Sequence, residues 1–158
     1  MIFEPTFLTW YLVPIGSLGV SLGLIALAWC DVTRFEIDPY AIVLIVCSAA
    51  AIYLATGQSL AVPFATSALA LMSFMLARFW SPKSIAEGDL GLIAGLGFLS
   101  GPLFAVFAVA FVVTSLVTAF AYSRARGKPA LKSSFPMALP ASIAAGFSFA
   151  LQLMGDVV

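Results

Sequence analysis

Leu-Phe-Ala-Val-Phe-Ala-Val-Ala-Phe-Val-Val-Thr-Ser-Leu-Val-Thr-Ala-Phe-Ala-Tyr, residues 103–122, carries no charge and decides the fold. Its length of about 20 residues is what an α-helix needs to cross the roughly 30 Å hydrocarbon core of a bilayer. In lipid, backbone N–H and C=O groups must bond within their own segment, so a helix is the form such a run takes. Further apolar runs cover 7–30, 40–56, 60–80, 89–99 and 135–154, with a short turn at Gly57 and Gln58. Hydrophobic residues make up 63% of the chain and charged residues 9%, against about 25% charged in soluble domains. The chain reads as one all-α polytopic membrane helix bundle of about six transmembrane helices, a single domain over 1–158.

The run at 89–99 is the odd one. Its roughly 11 residues give about 16 Å of helix, half a hydrocarbon thickness. Ser100, Gly101 and Pro102 break the pattern after it. Either its start or this break sits at membrane depth, where non-helical backbone survives only if protein shields it or it lines a wet cavity. At the other end of the chain, Glu4 and Pro5 precede the first run where a cleaved signal peptide would be basic, so that run reads as a retained helix.

All seven Lys and Arg residues collect at alternate junctions of the runs: Arg34 after the first, Arg78 and Lys83 bracketing the junction of the third and fourth, and Arg124, Arg126, Lys128 and Lys132 after the fifth. With six spans these loops share one face, which the positive-inside rule makes cytoplasmic, leaving both termini outside. Net charge is zero, so no nucleic-acid partner is expected. The chain has no histidine, and Cys30 and Cys47 lack metal-knuckle or redox spacing. Neither a metal nor another cofactor is therefore expected; the cysteines read as small apolar residues.

Among the seven acidic residues, Glu4 and Asp156 read as solvated terminal charges. Asp31 and Asp89 each abut a long apolar run on the same face, and ionisable residues in that setting are functional candidates. Paired carboxylates suit peptide hydrolysis, because one can stay protonated as an acid while the other activates water. Asp89 opens a helix and Asp31 ends one, so the helix dipoles make Asp31 the member expected to protonate more readily. Lys83 with Ser81 and Ser84 supplies the residue types of serine-lysine catalysis, but reads more simply as a solvated topogenic charge.

Three segments resemble the type IV prepilin peptidases. Cys-Asp-Val-Thr-Arg-Phe-Glu-Ile-Asp-Pro (30–39) is similar to their first aspartate motif. Ala-Glu-Gly-Asp-Leu-Gly-Leu-Ile-Ala-Gly-Leu-Gly (86–97) is similar to their Gly-x-Gly-Asp motif and the small-residue helix after it. Phe-Pro-Met-Ala-Leu-Pro-Ala-Ser-Ile-Ala-Ala-Gly (135–146) resembles the Pro-rich opening of their last helix. Three features depart from the pattern: Ala86 replaces the first glycine, Gly91 a lysine, and Ile37-Asp38-Pro39 an Ile-Pro-Asn.

The resemblance implies an aspartic endopeptidase of the bacterial inner membrane, cleaving leader peptides of prepilin or pseudopilin substrates at the cytoplasmic face. The small size and the missing cysteine-rich insertion resemble the branch serving Flp-type or Tad-type pili. Asp31 and Asp89 would be catalytic, and Gly88 would let the backbone approach the substrate. Glu36, Asp38 and Glu87 would attract a basic leader, or serve as ordinary loop carboxylates. Membrane lipid is the other expected partner. The alternative is a non-catalytic membrane protein, a small transporter or an assembly partner of a pilus or secretion machine.

Overall fold

A computed structural model describes residues 7–80, 87–126 and 136–155. The helices are α1 (Phe7–Arg34), α2 (Pro39–Ala55), α3 (Ala61–Trp80), α4 (Glu87–Ser100), α5 (Phe104–Arg126) and α6 (Ala138–Gly155), with a 3-10 turn at Gly101–Leu103. No strand occurs among the described residues. Four helical stretches are long and apolar enough to cross a membrane: Thr9–Arg34, Ala61–Trp80, Glu87–Ala125 and Ala138–Gly155. Pro39–Ala55 is apolar but, at 17 residues, shorter. This is an all-α membrane protein.

Local chemistry sets several helix ends. α2 starts on an Asp-Pro pair: the Asp38 side chain accepts the Tyr40 amide at 2.9 Å, and Pro39 fills a first-turn position that needs no N–H. α1 runs on past the apolar stretch to Arg34, so Asp31 lies inside its last turn rather than beyond it. α6 starts at Ala138, later than the apolar run suggests; Phe135 lies outside the described residues.

Glu87–Ala125 is continuous helical backbone but not a straight rod. A Cβ on Gly88 would meet Ile37 at 3.4 Å, while Tyr122 sets its ring against Phe35 with centroids 6.5 Å apart. A straight helix would separate Gly88 from Tyr122 by roughly 50 Å, yet both touch the short connection between α1 and α2. The chain therefore reverses at Gly101–Leu103. Gly101 permits this with φ +43°, and any Cβ there would lie 2.3 Å from the Tyr53 hydroxyl oxygen.

The short α4 is the axis of the bundle, packed against α2, α3 and α6. It spans 14 residues, about 21 Å, and buries Leu92, Ile93 and everything from Gly95 to Ser100. Its two ends differ. At the far end Ser100 and Gly101 are enclosed, the Tyr53 hydroxyl donates to the Leu99 carbonyl at 2.9 Å, and Thr66 reaches the Gly97 carbonyl at 2.9 Å. The break in the helix is thus the end that protein shields. At the near end Glu87 and Gly88 are exposed and Asp89 is half-buried.

The outer surface is apolar, with Leu22, Leu69, Leu116 and Val117 more than half exposed. On α1 the exposed Trp10 and Trp29 stand roughly 28 Å apart along the axis, close to a hydrocarbon thickness, as in an aromatic belt.

Candidate functional site: two aspartates at one end of the bundle

α1, α3 and α5 all end where α4 begins. Arg78 at the end of α3 meets Glu87 at 3.3 Å, and Tyr122 near the end of α5 meets Phe35. The described basic residues Arg34, Arg78, Arg124 and Arg126 therefore belong to one end of the bundle, the end that also carries Asp31 and Asp89.

Asp31 is 6% exposed. Its Oδ2 accepts hydrogen bonds from the backbone amides of Ala138 and, at 3.3 Å, Leu139. These amides open α6, where a helix leaves its first N–H groups without intrahelical partners. The residue ahead of them is Met137, which has no capping oxygen, and Pro140 has no N–H. A carboxylate far away in sequence thus caps α6 and ties it to α1. The expectation that Asp31 protonates first rested on the dipole of α1 alone. Asp31 also meets the opposite end of the α6 dipole, so helix ends by themselves do not rank the two aspartates.

Asp89 sits in the first turn of α4, at the same end of the bundle as Asp31 and near enough for its charge to be felt there. Helices α1, α4 and α6 thus converge on two carboxylates, one buried and one half-buried. Two carboxylates so placed can divide acid and base roles.

The chain leaves α1 through Phe35, which has φ +55°. That left-handed conformation costs roughly 1–2 kcal/mol for a residue with a side chain. The Phe35 amide donates to the Asp31 carbonyl at 3.0 Å and its ring packs edge-on against Tyr122. Both contacts hold the strained turn directly behind the buried aspartate.

The other residues singled out in the sequence surround this pair. Gly88 is exposed in the first turn of α4, with Ile37 the neighbour a side chain there would meet. Glu87 is the first residue of α4 and pairs with Arg78. Asp38 caps α2, and Glu36 is exposed beside it. Asp38 and Glu87 therefore have local structural work. Among the described residues, no three His, Cys, Asp or Glu side chains cluster as a metal site would require. Ser81, Lys83, Ser84, Ala86, Lys128 and Lys132 lie outside the described residues.

Sequence reasoning missed the amides of Ala138 and Leu139 as partners of Asp31. The signal was there: a helix start flanked by Pro136 and Pro140 with no Ser, Thr, Asp or Asn at the capping position. No family model, curated protein or solved structure matches the chain.

Proposed function

We propose that this chain is an aspartic endopeptidase that removes leader peptides from prepilin-like membrane proteins, with Asp31 and Asp89 as its catalytic pair. One observation carries the reading: two carboxylates from helices far apart in sequence lie at one end of an otherwise apolar bundle, Asp31 buried and Asp89 half-buried. One aspartate takes a proton from water as it attacks the scissile carbonyl. The other, protonated, donates to the carbonyl oxygen, and the proton on the first then passes to the leaving amine. No metal or cofactor takes part.

In this reading six helices span the bacterial inner membrane, with the basic end of the bundle cytoplasmic and both termini outside. Asp31 follows the interfacial Trp29 by two residues, which suits cleavage at the membrane edge. Gly88 borders the substrate strand, and Glu36, Asp38 and Glu87 draw in a basic leader. The resemblance of 30–39, 86–97 and 135–146 to prepilin peptidases supplies the substrate class.

Co-expression with a prepilin tests the proposal. Processing is expected with the wild type and lost with Asp31→Asn and with Asp89→Asn separately; full processing by both variants would sink the aspartyl mechanism. A second reading, a non-catalytic transporter or assembly partner, is favoured by the capping of α6 by Asp31, which gives that residue a structural role. It requires that no prepilin be cut by the wild type.

A further inference from the structure

We infer that the connection between α1 and α2, residues 35–38, sets the two aspartates against each other, with Phe35 and Ile37 as its positioning residues. The inference rests on the endopeptidase reading above. This short connection is tied to four helices. The Phe35 amide donates to the Asp31 carbonyl of α1 at 3.0 Å. The Phe35 ring lies edge-on to Tyr122 of α5, with centroids 6.5 Å apart. Ile37 is the neighbour of Gly88 on α4, and the Asp38 side chain caps α2. The connection thus leaves the turn that carries Asp31 and reaches, through Ile37, the residue next to Asp89.

Ile37 is half-buried and packs against the core, while Glu36 before it is exposed. On α4 it meets a glycine face. Gly88, Gly91 and Gly95 lie three and seven positions apart, which puts them on one side of the helix. A Cβ on Gly88 would stand 3.4 Å from Ile37; one on Gly91 would stand 3.9 Å, and one on Gly95 2.7 Å, from Ile42 of α2. Small residues let helices approach this closely. Ile42 seats α4 further along its length. Ile37 seats the first turn, the turn that carries Asp89. The height of that turn, and with it the place of the Asp89 carboxylate, follows from the side chain at 37.

Phe35 fixes where Ile37 stands. Among the described residues it is the only one besides glycine with a positive φ, +55°. Gly or Asn takes that conformation more readily; what phenylalanine adds is a ring that leans on Tyr122. Strain of this kind persists where surrounding contacts over-determine it, and it gathers at functional sites. Here it falls four positions after Asp31 and two before Ile37, so the path from one aspartate to the other is held at both ends. Such precision matters to a two-carboxylate site, since a misplacement of about 1 Å can cost roughly 100-fold in rate.

Cleavage kinetics on a purified prepilin, with melting temperatures in the same detergent, test this. Ile37→Ala removes the support under the first turn of α4 and is expected to lower kcat roughly 10–100-fold while KM stays within about twofold of wild type. Ile37→Val, which keeps a branched side chain against Gly88, is expected to retain most of the rate. Phe35→Gly relieves the strained backbone but removes the ring; kcat is expected to fall several-fold with little change in melting temperature, and Phe35→Tyr to restore it. Wild-type kcat in Ile37→Ala or in Phe35→Gly overturns the inference. So does a loss of rate that simply tracks a loss of melting temperature across the set, which is what a purely structural role gives. If the wild type cuts prepilin and the variants cut as fast, positioning alone fails. If the wild type cuts nothing, the endopeptidase reading fails and the inference falls with it.

Discussion

α3 and α4 meet along a closed seam, whereas α5 and α6 meet along a gapped one. On the first, Ser67 donates to the Ala94 carbonyl at 2.8 Å and Thr66 to that of Gly97 at 2.9 Å. Gly97 lies so near α3 that an added Cβ would stand 2.9 Å from the Ala70 Cβ. On the second, the Thr114 hydroxyl reaches the Pro140 carbonyl at 3.0 Å, and an open apolar groove runs between Val109 and Ile143. Without a hydrophobic force between helices in lipid, close packing and interhelical hydrogen bonds hold a bundle together. By that measure α4 is fixed along its length. α6 packs against α5, α1 and α4, and its first turn is held by one carboxylate, Asp31.

The largest expected effect tests that dependence. Asp31→Ala leaves the Ala138 and Leu139 amides without their acceptor, at about 1–3 kcal/mol for each buried donor. Its melting temperature in detergent should fall by several degrees, while Asp89→Ala should lose activity with little change in melting. Equal melting losses would mean that α6 is not held through Asp31.

The next contrast is steric. Gly97→Leu forces a side chain into the Ala70 contact and should destabilise by about 1–3 kcal/mol or more, as overpacking does. Val109→Trp projects into the open groove from an exposed position and should stay within about 0.5 kcal/mol of wild type. Thermal unfolding of both in the same detergent separates a closed seam from an open one; comparable losses would erase the distinction.

The smallest effect is the sharpest in sign. Ser67→Ala removes a satisfied hydrogen bond and should cost about 1 kcal/mol. Ser142→Ala removes an unsatisfied hydroxyl and should be neutral or slightly stabilising in the resting protein. A loss at Ser142 as large as that at Ser67 would show that its hydroxyl is satisfied after all.

The helices themselves were legible. The apolar run at 60–80 became α3 almost residue for residue, and that at 103–122 became α5, which continues to Arg126, because a long apolar run has few alternatives to a helix. The Gly101–Pro102 break was legible as a break, but not which end of α4 would be shielded. That depended on Tyr53 and Thr66 arriving from two other helices. The expected count of six spans was only partly legible: α2 is short, and α4 and α5 form one continuous helical stretch that folds back. In the candidate site, the shared face of Asp31 and Asp89 followed from the positions of the charges. The roles of Asp38 as a cap and Glu87 as an ion-pair partner did not, since both depend on neighbours within a few ångströms.

By itself the sequence determined the solvent, the helical form and the end of the bundle where charge collects. These follow from transfer free energies and from backbone hydrogen bonding, which act on each segment separately. Only the tertiary structure decided that Asp31 caps α6, that Asp89 comes near it, and that one seam is closed while another is gapped. Such contacts join residues remote in the chain through distances and directions, and hydrophobic pattern carries no information about either.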